Sequence, residues 1–278
     1  MKPAIVIDTS REIPREFYDV YNIFPIGYFI VDSKGIKHKE QLHIHEFQTR
    51  ELISKASKDK KANIYSPSIK DFVELYTYLA EDFDTLISVH SSFFTPVVFE
   101  NALVAKKMVS DISIDIIDTP TFGSSSGLFI EELAKIVSGA RTINTIRKEA
   151  ITLNKYINSY VLSRNLNLIS DGEKKIQSQA SLKSSLDPYV IHLYFHGHWE
   201  INRINRNFKT LFKDIKTGIE LIYQAKEIKS IYYATNPKFE KEIENILESF
   251  TIPNVRKATD SLPKYYLIGN NYFEIAFI

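Results

Sequence analysis

The chain has 278 residues, enough for one large domain or two of ordinary size. Hydrophobic residues make up 44% and charged residues 25%, and 35 basic side chains nearly cancel 34 acidic ones, so no overall basic field exists to draw nucleic acid or an anionic membrane. Cysteine is absent, which excludes disulfides, thiolate nucleophiles, cysteine-ligated zinc and cysteine-bound iron–sulfur clusters.

The N-terminus, MKPAIVIDTS, reaches Asp8 too early to hold a signal-peptide core. The longest apolar run, IFPIGYFIV (23–31), is far too short to span a bilayer. With no cysteine, a cytoplasmic location is expected. AIVID (4–8) reads as a strand, and two readings stand for Asp8-Thr9-Ser10 at its end: ligand orientation at a sheet's carboxyl edge, or a turn or cap before IPREFYDVY. FPIGYFIVDSKGIKHK predicts a strand, a turn at 32–35 and a short return. ANIYS (62–66), DTLISVH (84–90) and ISIDIID (112–118) predict further strands, most passing abruptly from apolar to polar residues as strands of a parallel sheet do.

Between them, IKDFVELYTYLA repeats its apolar residues at helical spacing, with Ser68 and Asp71 placed to cap its start. VVFENALVAKKMV, GLFIEELAKIVSG and TINTIRKEAITLNKYI predict three more helices. Alternation of strand and helix over about 150 residues argues for a doubly wound parallel sheet. Beyond residue 159 the pattern changes. YVLSRNLNLI predicts a strand, DGEKKIQSQASLKSS is polar and aperiodic, and YVIHLYFH with HWEINRINR predicts a hairpin through Gly197. NFKTLFKDIKTGIELIYQA is a long amphipathic helix, and SIYYAT, KFEKEIENILESF, NVRKA, YYLIG and FEIAFI complete an α+β half. The expected fold is a parallel-sheet α/β domain (1–158) packed on a second, α+β domain (159–278).

Hydroxyls gather where strands hand over to helices. In SVHSSFFTP, Ser91, Ser92 and Thr95 precede a helix, and free N–H groups and hydroxyls there suit a carboxylate or phosphate. His90 and Ser91 are neighbours on a strand and point to opposite faces, so they do not make a nucleophile–base pair, and no G-x-S-x-G elbow occurs. Ser66 lies at another strand end, free to face a ligand, while Ser68 caps the helix. DTPTFGSSSGLF has the composition of a phosphate loop without its Gly-Lys-Ser/Thr ending. The plain alternative is a helix capped by Ser124 or Ser125, with Gly127 allowing close packing. His43/His45 and His196/His198 lack the company that metal ligands keep, so no metal is expected. Arg203 and Arg206 either face inward to an acidic group or sit on a solvated strand end.

Four segments in this order resemble the DegV family of bacterial fatty-acid-binding proteins: AIVIDTS, SPSIKDFVELYTYL, DTLISVHSSFFTPVVFENALVAKKM and IDIIDTPTFGSSSGL. The resemblance implies a two-domain fold, a fatty acid in a tunnel of the first domain and a carboxylate held by hydroxyls near the domain junction. It also implies a carrier that presents its ligand to a fatty-acid kinase, with no cofactor. Several clamp positions depart from the pattern. Ile64 and Tyr65 replace two residues of Thr-Ser-Gln-Pro-Ser. Thr95-Pro96-Val97 replaces Ser-Gly-Thr, Gly172-Glu173-Lys174-Lys175 replaces Gly-Gly-Arg, and the C-terminal His-x-Gly-Pro-Gly is absent. Ser91, Ser92, Thr95 and Ser66 are therefore expected to meet the head group, with Lys175 or Arg203 as the cation and Asn270 as a further donor. Two alternatives stand: a regulatory or interaction module whose tunnel is filled by Phe93, Phe94 and Phe99, and a small-molecule hydrolase or phosphotransferase built on the hydroxyl-rich corners.

Overall fold

The structure, a computed structural model, describes residues 2–40, 46–58, 63–140, 142–169, 188–258 and 260–278. In chain order the strands are β1 (Pro3–Asp8), β2 (Ile23–Ile26), β3 (Phe29–Val31), β4 (Lys37–Lys39), β5 (Asn63–Tyr65), β6 (Thr85–His90), β7 (Ser113–Asp118), β8 (Asn158–Ser163), β9 (Tyr189–Phe195), β10 (His198–Asn205), β11 (Ser230–Thr235), β12 (Asn254–Lys257) and β13 (Phe273–Phe277). The helices are α1 (Glu16–Val20), α2 (Glu46–Lys58), α3 (Ile69–Leu79), α4 (Pro96–Met108), α5 (Ser124–Gly139), α6 (Ile143–Tyr156), α7 (Phe208–Ala225), α8 (Glu240–Leu247) and α9 (Leu262–Ile268). Among the described residues no helix is long and apolar enough to cross a membrane.

Alternation along β1 decides the first half. Ala4 and Val6 point to one face and Ile5 and Ile7 to the other, and all four are fully buried. A strand buried on both faces belongs inside a parallel sheet, and β1 lies in the order β2-β1-β6-β7, every pair parallel. On one face Ala4, Val6, Leu86 and Ile114 pack against Phe72, Tyr76 and Leu79 of α3 and Val98 and Ala102 of α4. On the other, Ile5, Ile7, Ile87 and Val89 meet α5 and α6 through Leu128, Leu133, Ile146 and Ala150. The capping box predicted for α3 is present in full, Ser68 and Asp71 each satisfying the other's backbone N–H.

The predicted strand at ANIYS is not part of this sheet. β5 joins β3 and β4 in a separate antiparallel sheet of order β4-β3-β5. Its residues alternate exposed and half-buried, so it lacks the two buried faces that the parallel sheet demands.

The second half forms a sheet of order β10-β9-β8-β13-β11-β12, antiparallel except for β11 beside β12. α7 and α8 cover one face through Leu211, Phe212, Ile215, Ile219 and Ile243. The other face turns towards the first half, where Val161, Tyr194, Tyr232 and Ala276 share a core with α5. Helix α5 is thus buried between the two sheets, and its first seven residues are all inaccessible. Gly127 is the condition for that position: a Cβ there would strike the Glu12 carbonyl and press on the Tyr232 ring at 3.0 Å. Gly127→Ala is therefore expected to destabilise the protein by about 1–3 kcal/mol, the usual cost of overpacking, measured as a lower urea midpoint. An unchanged midpoint would show that the two sheets are not held at this spacing.

Candidate ligand-binding site

The chain runs from β1 to β2 on one side and then crosses to β6 on the other, so the carboxyl ends of β1 and β6 form a topological switch point, where open α/β sheets bind ligands. Four polar side chains meet there. His90 Nδ1 lies 2.8 Å from Asp8 Oδ2, its Nε2 2.8 Å from Ser88 Oγ, and Ser88 Oγ 2.7 Å from the Tyr76 hydroxyl. Burial holds the His90 pKa down, so the ring is neutral. Burial also opposes the Asp8 carboxylate, but hydrogen bonds and the charge of Arg11 overcome it and keep the Asp8 pKa low. One donor order satisfies the chain: Tyr76 donates to Ser88, Ser88 to Nε2, and Nδ1–H to Asp8. This is the order of a hydrolytic triad. All four residues are fully buried, however, and Phe72 packs edge-on against the imidazole at 5.2 Å. A substrate would have to displace Tyr76 and Phe72 to touch Ser88. The arrangement staples β1, β6 and α3 together.

The hydroxyl partner of His90 is Ser88, not its neighbour Ser91, which turns to Phe94 N–H. Residues i and i+2 of a strand share a face, and that spacing was the available signal.

The double serine is engaged in its own loop. Ser91 Oγ, fully buried, accepts from Phe94 N–H at 3.0 Å. Exposed Ser92 donates from its backbone and hydroxyl to Asp118. Thr95 donates to the Ser91 carbonyl at 3.1 Å. Beside this loop opens an apolar pocket of about 160 Å³. Its walls are Tyr28, Ile64, Ser66, Phe94 and Thr95 from the first half and Pro263, Tyr266 and Leu267 of α9 from the second. The Tyr28 hydroxyl is turned towards Thr95 but completes no hydrogen bond among the described residues.

Of the residues singled out from the sequence, Ser66 and Thr95 line this pocket, while Ser91 and Ser92 stand in the adjoining loop. Arg203 lies on the edge strand β10 and pairs with Asp214 of α7 at 2.9 Å, which fits the solvated strand end. Asn270 is exposed and borders a different cleft with Lys264 and Asp260, its carbonyl accepting from Asn236 at 2.6 Å. Lys175 lies outside the described residues, as do His43 and His45. His196 and His198 are exposed at the β9–β10 turn, and among the described residues no three His, Cys, Asp or Glu side chains gather as a metal site would need.

Arg11, which the sequence reading passes over, is 1% exposed. Its Nη1 donates to the Thr121 carbonyl at 2.7 Å, and its Nε stands 4.0 Å from Asp8 Oδ2. The loop read by composition as a possible phosphate cradle is filled by the protein's own anion. Gly123, at φ 53°, is the N-cap of α5 in place of a serine, and Glu274 of β13 accepts from Ser124 N–H and Oγ at that helix end.

Glu274 belongs to a buried cluster that ties the two halves together. Lys264 of α9 forms an ion pair with Glu12, Ser261 donates to Glu12 at 2.7 Å, and Glu274 lies 3.9 Å from the same ammonium. Burial, with the charge of Glu274, pushes the Glu12 carboxyl up to about 8 against the pull of Lys264. Glu40, just beyond β4, accepts from Thr9 and from Leu262 N–H at the start of α9. Burial pushes it up to about 8 as well.

Comparison with known proteins adds a family. The model of a family described as uncharacterised proteins of the DegV family matches residues 2–259. A DegV domain-containing protein of Staphylococcus aureus is 24% identical over 230 residues, 83% of this chain and 81% of its own length. Among solved structures, DegV of Bacillus subtilis, described as a fatty acid binding protein, superposes with a TM-score of 0.77 at 20% identity over 100% of this chain and 99% of that one. A DegV family protein of Thermus thermophilus, described by its fatty acid binding, gives 0.78 at 15% identity over 100% and 99%. At these identities the structural likeness establishes the fold: a parallel-sheet α/β half joined to a second sheet.

Proposed function

The chain belongs to the DegV family, and from that premise we propose that it is a binding protein for a fatty acid, which it holds without transforming. The observation that carries the reading is the apolar pocket at the switch point, with walls from both halves and hydroxyls of Tyr28, Ser66 and Thr95 on its lining. Burial of an acyl chain contributes about 0.8 kcal/mol per methylene, so the tail supplies most of the affinity. The burial of Ser88 and His90 supports a non-catalytic role. Presentation of the bound acid to a fatty-acid kinase, a cytoplasmic location and a division at residues 158/159 belong to the same proposal, on the strength of the family resemblance.

One observation favours a second reading, that of a regulatory module with an altered ligand. A dry apolar cavity of ~150 Å³ holds about one benzene ring, and this pocket is about 160 Å³. A long acyl chain outgrows it and requires the buried wall residues Tyr28, Phe94 and Val98 to shift. Mass spectrometry of the organic extract of the denatured protein, after incubation with mixed fatty acids, separates the two. Near-stoichiometric acid is expected. A blank extract leaves the regulatory module.

A further inference from the structure

Arg11 is a charged side chain without a full set of partners. A guanidinium stays protonated and carries five N–H donors in a planar fork. Here Nη1 is satisfied by Thr121, through its carbonyl at 2.7 Å and its hydroxyl at 3.4 Å. Nε and Nη2 complete no hydrogen bond among the described residues, although the side chain is 1% exposed. Asp8 does not fill the gap. Its Oδ1 accepts from Ser10, its Oδ2 accepts from His90, and 4.0 Å to Nε is too long for a hydrogen bond.

Arg11 stands behind the wall of the apolar pocket, and Tyr28 is the wall residue that connects the two. Tyr28 lines that pocket, feels the charge of Arg11 and has an unpaired hydroxyl. Phe94, another wall residue, packs with its ring centroid 4.8 Å from that of Phe122, the neighbour of the Thr121 that holds Arg11. Two adjacent nitrogens of one guanidinium and one phenol make a donor set that matches the two oxygens of a carboxylate. The other cation candidate within the described residues, Arg203, is already paired with Asp214.

We propose that Arg11, assisted by the Tyr28 hydroxyl, is the cation that receives the carboxylate of the bound acid, with the acyl chain running out along Phe94 and Val98. This rests on the fatty-acid reading above and assigns the head group to a residue of the β1–α1 loop instead of the double serine.

The test is a calorimetric titration with a matched pair, dodecanoic acid and dodecanol. The wild-type protein is expected to prefer the acid by roughly 10- to 100-fold, the value of charged hydrogen bonds. Arg11→Met is expected to remove that preference while leaving affinity for the alcohol unchanged. Tyr28→Phe is expected to reduce the preference by a smaller factor. Where Arg11→Met does not fold, Arg11→Lys serves: it loses the planar two-donor edge, so the preference falls severalfold with the alcohol unaffected. The proposal is overturned if the preference survives in these variants, if acid and alcohol weaken equally, or if the wild type binds both alike. A wild type that binds neither overturns the fatty-acid reading itself, a separate result.

Discussion

Replacing His90 with leucine is expected to destabilise the protein by about 3 kcal/mol, the upper end of the usual cost of leaving a buried acceptor without its donor, because that acceptor is a carboxylate. His90 donates the hydrogen bond that meets Asp8 Oδ2 at 2.8 Å, and both groups are fully buried. After the substitution the carboxylate keeps Ser10, while Arg11 remains at 4.0 Å. For a domain stable by roughly 5–15 kcal/mol this is a large fraction, and urea denaturation will register it. Asp8→Asn in the His90→Leu background should recover part of the loss, since it removes the stranded charge. The pH dependence has a definite sign. Burial lowers the folded pKa of His90 below its unfolded value near 6.5, so the contribution of the neutral ring is fully present above 6.5 and is lost as pH falls towards the folded pKa. The gap between wild type and His90→Leu should therefore narrow in acid. A loss below about 1 kcal/mol at neutral pH, within the range of ordinary substitutions, would mean that Asp8, His90 and Ser88 do not hold β1 to β6.

Glu40→Gln is expected to have little effect at pH 5 and to be more stable than the wild type at pH 8, by a few kcal/mol. Glu40 is fully buried and its carboxyl is pushed up to about 8 from an ordinary 4.5. Between those values the folded protein keeps a proton that the unfolded chain has released. Stability must then fall with rising pH, by about 1.4 kcal/mol per unit for each such group, and level off above 8. Glutamine does not titrate, and its amide can still accept from Leu262 N–H and donate to Thr9. Urea curves for both proteins at pH 5, 6.5 and 8 measure the difference. Parallel pH dependences would show that Glu40 ionises in the folded state as readily as in the unfolded one. Glu12, also raised to about 8, adds a similar slope to both proteins and cancels in the comparison. Because Leu262 begins the helix that closes the pocket, ionisation of Glu40 also bears on how firmly α9 is seated.

The parts of the fold that were legible in the sequence are those set by local periodicity. AIVID alternates two buried faces, so its place inside a parallel sheet follows from its composition. The apolar stripe of Leu211, Phe212, Ile215 and Ile219 specifies α7 in the same way. Ser68 and Asp71 mark the start of α3 because a capping box needs only residues three apart. Thr95 could be placed near the carboxyl edge of the parallel sheet because it follows β6 in sequence, and it lines the apolar pocket there; Ser66 reaches the same pocket from β5, which lies outside that sheet.

What sequence could not decide depended on partners distant along the chain. That Ser91 accepts from Phe94 N–H and Ser92 donates to Asp118 depends on the fold of the loop and on a strand 26 residues away. Nothing local in the sequence marks Arg11 and Glu12, whose burial involves Thr121 and Lys264, 110 and 252 residues away. DTPTFGSSSGLF leaves a phosphate-like loop and a plainly capped helix both open, and the partner found at the N-terminus of α5 is Glu274, 150 residues on. By itself the sequence determined the parallel-sheet first half, the change of pattern in the second and the most periodic elements, but not helices α2 and α9, because hydrophobic spacing is a local property. Only the tertiary structure decided which polar groups are satisfied and which are left for a ligand, because desolvation and hydrogen-bond pairing depend on everything that packs around them.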